Sequence, residues 1–145
     1  MANEHHESPA CDPDQLRAYL DEMITFRRAD AIRAIEEARR YDGFSENHEY
    51  VAAREELLRN EEEIRRVEAF LDQHDPQAEA VSAEAQRRLV RQLDGHGKFL
   101  AWLDEEIGRI RRLPQCPRNA ESLEALQALQ QRCEAEKRRL ENTLA

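Results

Sequence analysis

The first half of the chain consists of two long stretches without a helix breaker, joined by a single turn signal. Residues 15–41 contain no Gly or Pro, and their apolar side chains recur at helical spacing. Asp42-Gly43 then favours a chain reversal. The second stretch carries a heptad repeat whose members are Tyr50, Ala53, Leu57, Asn60, Ile64, Val67 and Leu71. The sequence therefore predicts a long antiparallel coiled-coil hairpin over residues 13–74, with its tip at 42–46.

Polar residues interrupt the apolar pattern of both arms. The first arm has a gap at Arg27 and Arg28, and the second arm places Asn60 on the seam. A polar residue at a seam position can set the register of paired helices. Asn60 is therefore expected either to set that register or to face solvent.

The second half of the chain, residues 75–145, also has helical periodicity and lacks the alternation typical of strands. Its first apolar stripe is interrupted by Gly95-His96-Gly97, where two glycines predict a kink or a break because each costs about 1 kcal/mol in a helix. The predicted fold class is all-α, with the long hairpin followed by a smaller helical region, either a second hairpin or a bundle. Residues 1–12 are polar and are expected to form a disordered tail.

The composition argues against several classes of function. Of the 145 residues, 37% are charged and the formal net charge is −9, so duplex DNA is not an expected partner. No apolar stretch approaches the roughly 20 residues that span a bilayer, which favours a cytoplasmic protein without a membrane partner. Three cysteines cannot all pair within the chain, and the five histidines are scattered. We therefore expect free thiols, no cofactor and no metal bound by the free protein.

The hairpin tip is the densest candidate for a functional site. Asp42, Glu46 and Glu49 place three carboxylates there with no Lys or Arg between them. Taken alone, this pattern is also that of a solvated acidic turn, which is common in a chain with 31 acidic residues. No glycine-rich phosphate loop and no Ser/His/Asp constellation is visible. The chain is therefore not expected to be an enzyme acting alone.

The residues on both sides of the tip resemble the N-terminal coiled coil of bacterial Gre transcript-cleavage factors. The residues that carry the resemblance are Leu16-Arg17, Leu20-Asp21, Arg27-Arg28, Ile32, Ala34-Ile35, Glu37-Ala38-Arg39 and the run Glu46-Asn47-x-Glu49-Tyr50-x-Ala52-Ala53-Arg54-Glu55. The resemblance covers about residues 14–73 of the chain, and the run that begins at Glu46 is its most specific part.

This resemblance implies that the hairpin enters the secondary channel of bacterial RNA polymerase. In Gre factors, acidic tip residues help to hold a second catalytic Mg²⁺, and the polymerase then hydrolyses backtracked RNA. A weakly held Mg²⁺ keeps most of its waters, so one added carboxylate raises its occupancy and helps to orient the attacking water. The chain would act with polymerase-bound Mg²⁺ and would be an accessory factor.

The roles implied for single residues follow from their positions in the motif. Glu46 matches one of the two acidic tip residues, and Asp42 is the candidate for the other. Arg39 and Arg54 match basic positions of the rod surface that face RNA and the channel, so the nascent RNA 3′ end is a predicted contact. For both arginines, an ordinary solvated helix face is the alternative. The predicted binding residues are Arg39, Phe44, Ser45, Asn47, Glu49, Tyr50 and Arg54.

The sequence departs from the Gre pattern at the tip. The family has Gly-Asp before its apolar residue, whereas this chain has Asp42-Gly43 before Phe44. One residue of extended chain spans about 3.3–3.6 Å, while metal–oxygen distances tolerate errors of only about 0.2 Å. The tip is therefore expected either to support cleavage through Asp42 and Glu46 or to occupy the channel as a competitor or inhibitor.

The second departure is the remainder of the chain. Gre factors end in a β-rich FKBP-like domain, which residues 77–145 do not resemble. These residues are expected to dock on the polymerase or to bind another protein or a second copy of the chain. Two alternatives remain for the whole: a structural coiled-coil adaptor that mediates protein–protein interaction or oligomerisation, and a toxin-system or mobile-element accessory protein that keeps the hairpin as a scaffold.

Overall fold

The structure is a computed structural model that describes residues 12–40, 48–74, 83–114 and 116–144. These residues form the helices α1 (Pro13–Glu22), α2 (Arg28–Ala38), α3 (His48–His74), α4 (Ala83–Arg111) and α5 (Pro117–Leu144), and a π-helical turn at Met23–Arg27. No strand occurs within the described ranges, which confirms the all-α prediction. None of their helices is long and apolar enough to cross a membrane.

The first hairpin pairs α1, the π-helical turn and α2 with α3. The three segments of the first arm follow one another without a break. Near one end of the hairpin, Leu20 lies in a buried cluster with Val67 and Leu71. Towards the other end, Ile35 lies in a buried cluster with Leu57. The arms are therefore antiparallel, as predicted, and α3 with its 27 residues is about 40 Å long.

A buried ion pair fills the gap that the apolar pattern shows at Arg27 and Arg28. Arg28 Nε and Nη2 donate to the two carboxylate oxygens of Glu61, each at 2.7 Å. The π-helical turn ends at Arg27, and the backbone N–H of the following residue, Arg28, donates to the Met23 carbonyl. The same carbonyl accepts from Asn60 Nδ2 at 3.3 Å. Asn60 therefore faces the partner arm and helps to fix the register.

Helices α4 and α5 form a second antiparallel hairpin. The predicted break at Gly95-His96-Gly97 is wrong, because α4 is one continuous helix through these residues, and a kink there stays a prediction. A Cβ atom at position 95 would lie only 2.9 Å from Ile24 Cγ2 in the π-helical turn. Gly95 therefore lets α4 approach the first hairpin closely, and His96 beside it is buried.

The two hairpins pack side by side in the same direction. Along both helix pairs, side chains that meet differ by a nearly constant number of positions, 66 for Trp102 Nε1 donating to Glu36 and 68 for Arg54 Nη1 donating to Ser122. Thus α2 lies beside α4, α3 lies beside α5, and both pairs are parallel. The last turn of α4 and the first turn of α5 consequently lie at the same end of the molecule as the last turn of α2 and the first turn of α3.

All four long arms contribute to one buried core, so the described residues form a four-helix bundle. Its fully buried apolar members include Ile35, Leu57, Phe99, Leu103, Leu126 and Leu129. Cys116 and Cys133 are free thiols, as predicted, whereas Cys11 lies outside the described residues. The apolar stripes of the two hairpins therefore cover one another within the chain.

Candidate functional site at the hairpin tip

The tip itself lies in residues 41–47, outside the described residues. The predicted tip residues in this segment are Asp42, Phe44, Ser45, Glu46 and Asn47. Their assigned roles stay predictions. The structure does describe the residues that flank the segment, with Arg39 and Arg40 on the first arm and Glu49, which is exposed, on the second.

Tyr50 joins the second arm of the first hairpin to α4. Its hydroxyl donates to Glu106 Oε2 at 2.7 Å, and the tyrosine side chain is buried. Burial and the adjacent Glu106 carboxylate raise the pKa of the Tyr50 phenol above its usual value of about 10. Tyr50 is therefore neutral at physiological pH and acts as a hydrogen-bond donor.

Arg39 joins the first arm to the same carboxylate. Its Nη1 donates to Glu106 Oε1, and Arg109, one turn further along α4, donates to both oxygens through Nε and Nη2. The Arg109 guanidinium also lies over the Tyr50 ring, 5.8 Å from its centroid. The side chain of Glu106 is only 1% exposed, so this buried carboxylate is compensated by two arginines and one hydroxyl.

Arg54 occupies a different position from the one that the resemblance implies. Instead of lying on an exposed rod surface, it is buried between α3 and α5. Its Nη1 donates to Ser122, and its Nη2 lies 3.8 Å from Glu55, while its Nε has no hydrogen-bond partner among the described residues. Arg39 is also mostly covered, with 27% of its side chain exposed. The second hairpin covers these positions because it packs along the whole described length of the first.

Glu106, Arg109 and Ser122 were missed as neighbours of the tip by sequence reasoning. Glu106 does carry a signal, since it lies within the apolar stripe formed by Leu103, Ile107 and Ile110. A carboxylate in such a stripe requires a buried cation or donor. Arg109 can be read from its i, i+3 spacing on the same helix. Arg39 and Tyr50 cannot be read in this way, because they come from the other hairpin.

The described residues around the tip are rich in arginine, although the whole chain has a net charge of −9. The arginines at this end of the bundle are Arg39, Arg40, Arg109, Arg111, Arg112 and Arg118. Between α2 and α4, a cleft of about 410 Å³ is lined by Arg39, Arg109 and Arg112 together with acidic side chains of α4. The described end of the bundle that adjoins residues 41–47 in sequence thus carries cations from both hairpins.

A second buried polar cluster lies midway along the bundle. His96 Nδ1 lies 3.3 Å from Arg28 Nη1 and 3.5 Å from Cys133 Sγ. Burial, together with Arg28, lowers the pKa of His96 to about 3, and burial raises the pKa of the Cys133 thiol to about 12. Both groups are therefore neutral at physiological pH. Within the part of the chain that the structure describes, no group of three or more His, Cys, Asp or Glu side chains is arranged to hold a metal ion.

Comparison with known proteins identifies the first hairpin. Residues 12–75 match the family GreA_GreB_N, described as "Transcription elongation factor, N-terminal". No curated protein and no solved structure matches the chain. The matched residues contain both arms of the first hairpin and the segment between them, whereas α4 and α5 lie outside the match. The match spans 64 of the 145 residues, so the first hairpin is similar to the N-terminal domain of the Gre transcription elongation factor family.

Proposed function

We propose that the chain is an accessory factor of bacterial RNA polymerase, which inserts the 41–47 end of its first hairpin into the secondary channel and modulates transcript cleavage and elongation. The observation that carries this proposal is the family match over residues 12–75. The match is to a transcription elongation factor domain, and its span coincides with one complete antiparallel hairpin. A cytoplasmic location follows from such a role.

The geometry of the first hairpin supports a role for its end. Asn60 and the buried Arg28–Glu61 pair fix the register of the two arms. Asp42 and Glu46 belong to the sequence between the two arms, and α3, which follows them with 27 residues, is about 40 Å long. Carboxylate oxygens are the ligands that Mg²⁺ prefers, so both residues suit a metal ion that the polymerase holds. The polymerase supplies the chemistry, and the chain supplies a ligand or occupies the site.

The second hairpin stays in place during this action. Separation of the two hairpins would expose side chains that are now fully buried, among them Ile35, Phe99 and Leu129. Each such side chain contributes about 1.5–3 kcal/mol when buried, so exposure of the shared core costs on the order of 10 kcal/mol. To open the bundle, the polymerase would have to bind the open form more tightly by at least that amount. This is about twice the 5.5 kcal/mol that shifts a two-state equilibrium from 1:99 to 99:1. The polymerase is therefore expected to meet the end of a four-helix bundle.

A cleavage assay tests this proposal. Elongation complexes that carry backtracked RNA are mixed with the protein while Mg²⁺ is varied, and the shortening of the RNA is followed. The double variant D42N/E46Q removes the two tip carboxylates that are the candidates for assisting the metal. The matched control E22Q/E134Q makes the same charge change at two exposed positions away from the tip.

The direction of the effect separates the two modes of action. Faster shortening that is lost in D42N/E46Q but kept in E22Q/E134Q supports a tip that assists the metal. Slower shortening that an excess of an authentic Gre factor reverses supports a tip that occupies the channel. Unchanged shortening, without competition against a Gre factor at any Mg²⁺ concentration, would contradict the proposal.

A coiled-coil adaptor is the competing function, and the packing of the bundle weakens it. An adaptor would offer its apolar seams to another chain, but here the seams of both hairpins are buried against one another. The large apolar side chains that are exposed in the described part of the chain are Phe26 and Val90. Contact with the nascent RNA 3′ end and formation of a homo-oligomer stay predictions. Sedimentation of the purified protein tests the oligomer directly.

A further inference from the structure

We infer that Glu106, on α4 and outside the family match, is a positioning residue for the tip. It joins Arg39, which lies shortly before residues 41–47, to Tyr50, which lies shortly after them. The inference rests on the proposed function, because it assigns to the second hairpin the task of holding the working end of the first. Glu106 acts through these flanking residues and contacts no reacting group.

The geometry of the carboxylate ties the two arms together. Oε1 accepts from Arg39, Oε2 accepts from Tyr50, and Arg109 donates to both oxygens. A carboxylate offers about four acceptor positions, and these contacts fill them. The separation of the two arms at the base of the tip is therefore set by the width of one carboxylate, which is itself held on a rigid helix.

The two arginines around position 106 require a negatively charged side chain there. The Glu106 side chain is almost fully buried, and the guanidinium groups of Arg39 and Arg109 converge on it. Without the negative charge, these two cations would lie close together and repel one another. Tyr50 alone could still bond to a neutral amide, but Arg39 would gain from turning towards solvent. A glutamine at position 106 therefore keeps the size of the side chain and releases the first arm.

Position within the bundle gives the contact a local effect. Glu106 lies near the last turns of α4, far from the buried Arg28–Glu61 pair in the middle of the bundle. The shared core on the inner side of Glu106, which includes Leu103, stays intact when the contact is lost. Loss of Glu106 is therefore expected to loosen the base of the tip while the middle of the bundle keeps its structure.

Hydrogen exchange on the free protein tests this step without polymerase. In Glu106→Gln, amides at 38–40 and 52–54, which are the first of α3 with acceptors inside the helix, are expected to exchange at least about tenfold faster, because a charged hydrogen-bond network is lost. Amides around Arg28 and Glu61 are expected to keep their rates. The matched control is Glu105→Gln, the same change at the exposed neighbouring residue of α4. Tyr50→Phe releases only the second arm and is expected to act on 52–54 alone.

Transcription assays test the consequence for function. Glu106→Gln is expected to reduce the maximal effect on RNA shortening at least about fivefold at saturating protein, while the concentration for half-maximal effect changes less than about twofold. A residue with a merely structural role would lower the folded fraction, so it would shift the half-maximal concentration instead. Glu105→Gln is expected to match the wild type in both measures.

The outcomes separate the two proposals. If the wild type has no effect on polymerase, the proposed function fails, and the exchange experiment still decides whether Glu106 holds the base of the tip. If Glu106→Gln leaves exchange at 38–40 and 52–54 unchanged, or accelerates it equally throughout the bundle, the inference is overturned. A wild-type maximal effect in Glu106→Gln would overturn it as well.

Discussion

The hydroxyl of Tyr50 donates to Glu106 Oε2 at 2.7 Å and so links the Gre-type hairpin to a helix outside the family match. Tyr50 belongs to the run of residues that carries the Gre resemblance, whereas Glu106 lies on α4. The second hairpin thereby reaches the base of the tip. This contact also makes the stability of the bundle depend on the ionisation of one phenol.

Tyr50→Phe tests that dependence. Burial and the Glu106 carboxylate raise the pKa of Tyr50 in the folded protein, so its contribution to stability is complete below pH 10 and is lost as the pH rises through the raised pKa. At pH 8 the variant is expected to be about 1.5–3 kcal/mol less stable, the usual loss for a hydrogen bond to a charged group. Above pH 10 the difference should narrow by about 1.4 kcal/mol per pH unit.

Urea unfolding of both proteins at pH 8 and pH 11 provides the measurement. Tyr19→Phe is the control, because the Tyr19 hydroxyl has only a long contact of 3.4 Å with Arg27 in an exposed position. A difference between wild type and Tyr50→Phe that is the same at both pH values would contradict the contribution of Tyr50 ionisation.

The buried Arg28–Glu61 pair gives a second prediction. Both side chains are almost fully buried and meet through two hydrogen bonds, so either single replacement leaves an uncompensated group in the core. Glu61→Gln is expected to lower the free energy of unfolding by about 3–5 kcal/mol. The double variant R28M/E61L removes both charges and is expected to lose several kcal/mol less than the sum of R28M and E61L.

An exposed pair of the same length supplies the control for this cycle. Arg33 and Asp30 also meet at 2.7 Å, but their side chains are 69% and 70% exposed. Asp30→Asn is therefore expected to cost less than about 1 kcal/mol. Equal losses for Asp30→Asn and Glu61→Gln in urea unfolding would show that burial of the ion pair does not matter.

Gly95 and Gly97, two of the three glycines of α4, are expected to respond in opposite directions to the same substitution. A Cβ atom at Gly95 would lie 2.9 Å from Ile24 Cγ2, whereas one at Gly97 would meet only Lys137 Cε at 3.9 Å. Gly95→Ala should destabilise the bundle, because the cost of overpacking, about 1–3 kcal/mol, is larger than the gain in helix propensity of about 1 kcal/mol. Gly97→Ala should stabilise it by about 0.5–1 kcal/mol. Thermal unfolding followed by circular dichroism distinguishes them, and equal shifts would rule out the close approach.

The first hairpin was predictable from sequence because its period encodes the buried face directly. The heptad members Tyr50, Leu57, Ile64 and Leu71 are all buried. The break predicted at the glycine pair was wrong. Helix propensity describes an isolated helix, whereas the glycine at position 95 is needed for the close approach to Ile24 of the first hairpin. The parallel packing of the hairpins was not predictable either, since it depends on pairs such as Trp102 and Glu36 that lie far apart in the chain.

For the candidate site, the sequence predicts the tip and the family but not the surroundings. The resemblance assigned Arg54 to a rod surface, yet in this chain Ser122 covers it. A resemblance transfers the environment of a residue only where the neighbouring elements are also shared. Because α4 and α5 lie outside the match, the resemblance carries no information on the contacts that these helices make with the first hairpin.

Buried His96 is expected to reduce the stability of the bundle in mild acid. Burial, together with Arg28, lowers the pKa of His96 to about 3, so the unfolded chain binds a proton below about pH 6.5 that the folded chain does not. At pH 4.5 the resulting loss is of the order of 2–3 kcal/mol. Glu68, whose pKa is raised by burial and by Glu136, acts in the opposite direction, because its contribution is lost as the pH rises. Subtraction of the urea-unfolding pH profile of His96→Gln from that of the wild type isolates the histidine, and a flat difference between pH 7 and pH 4.5 would show that His96 is protonated in the folded bundle.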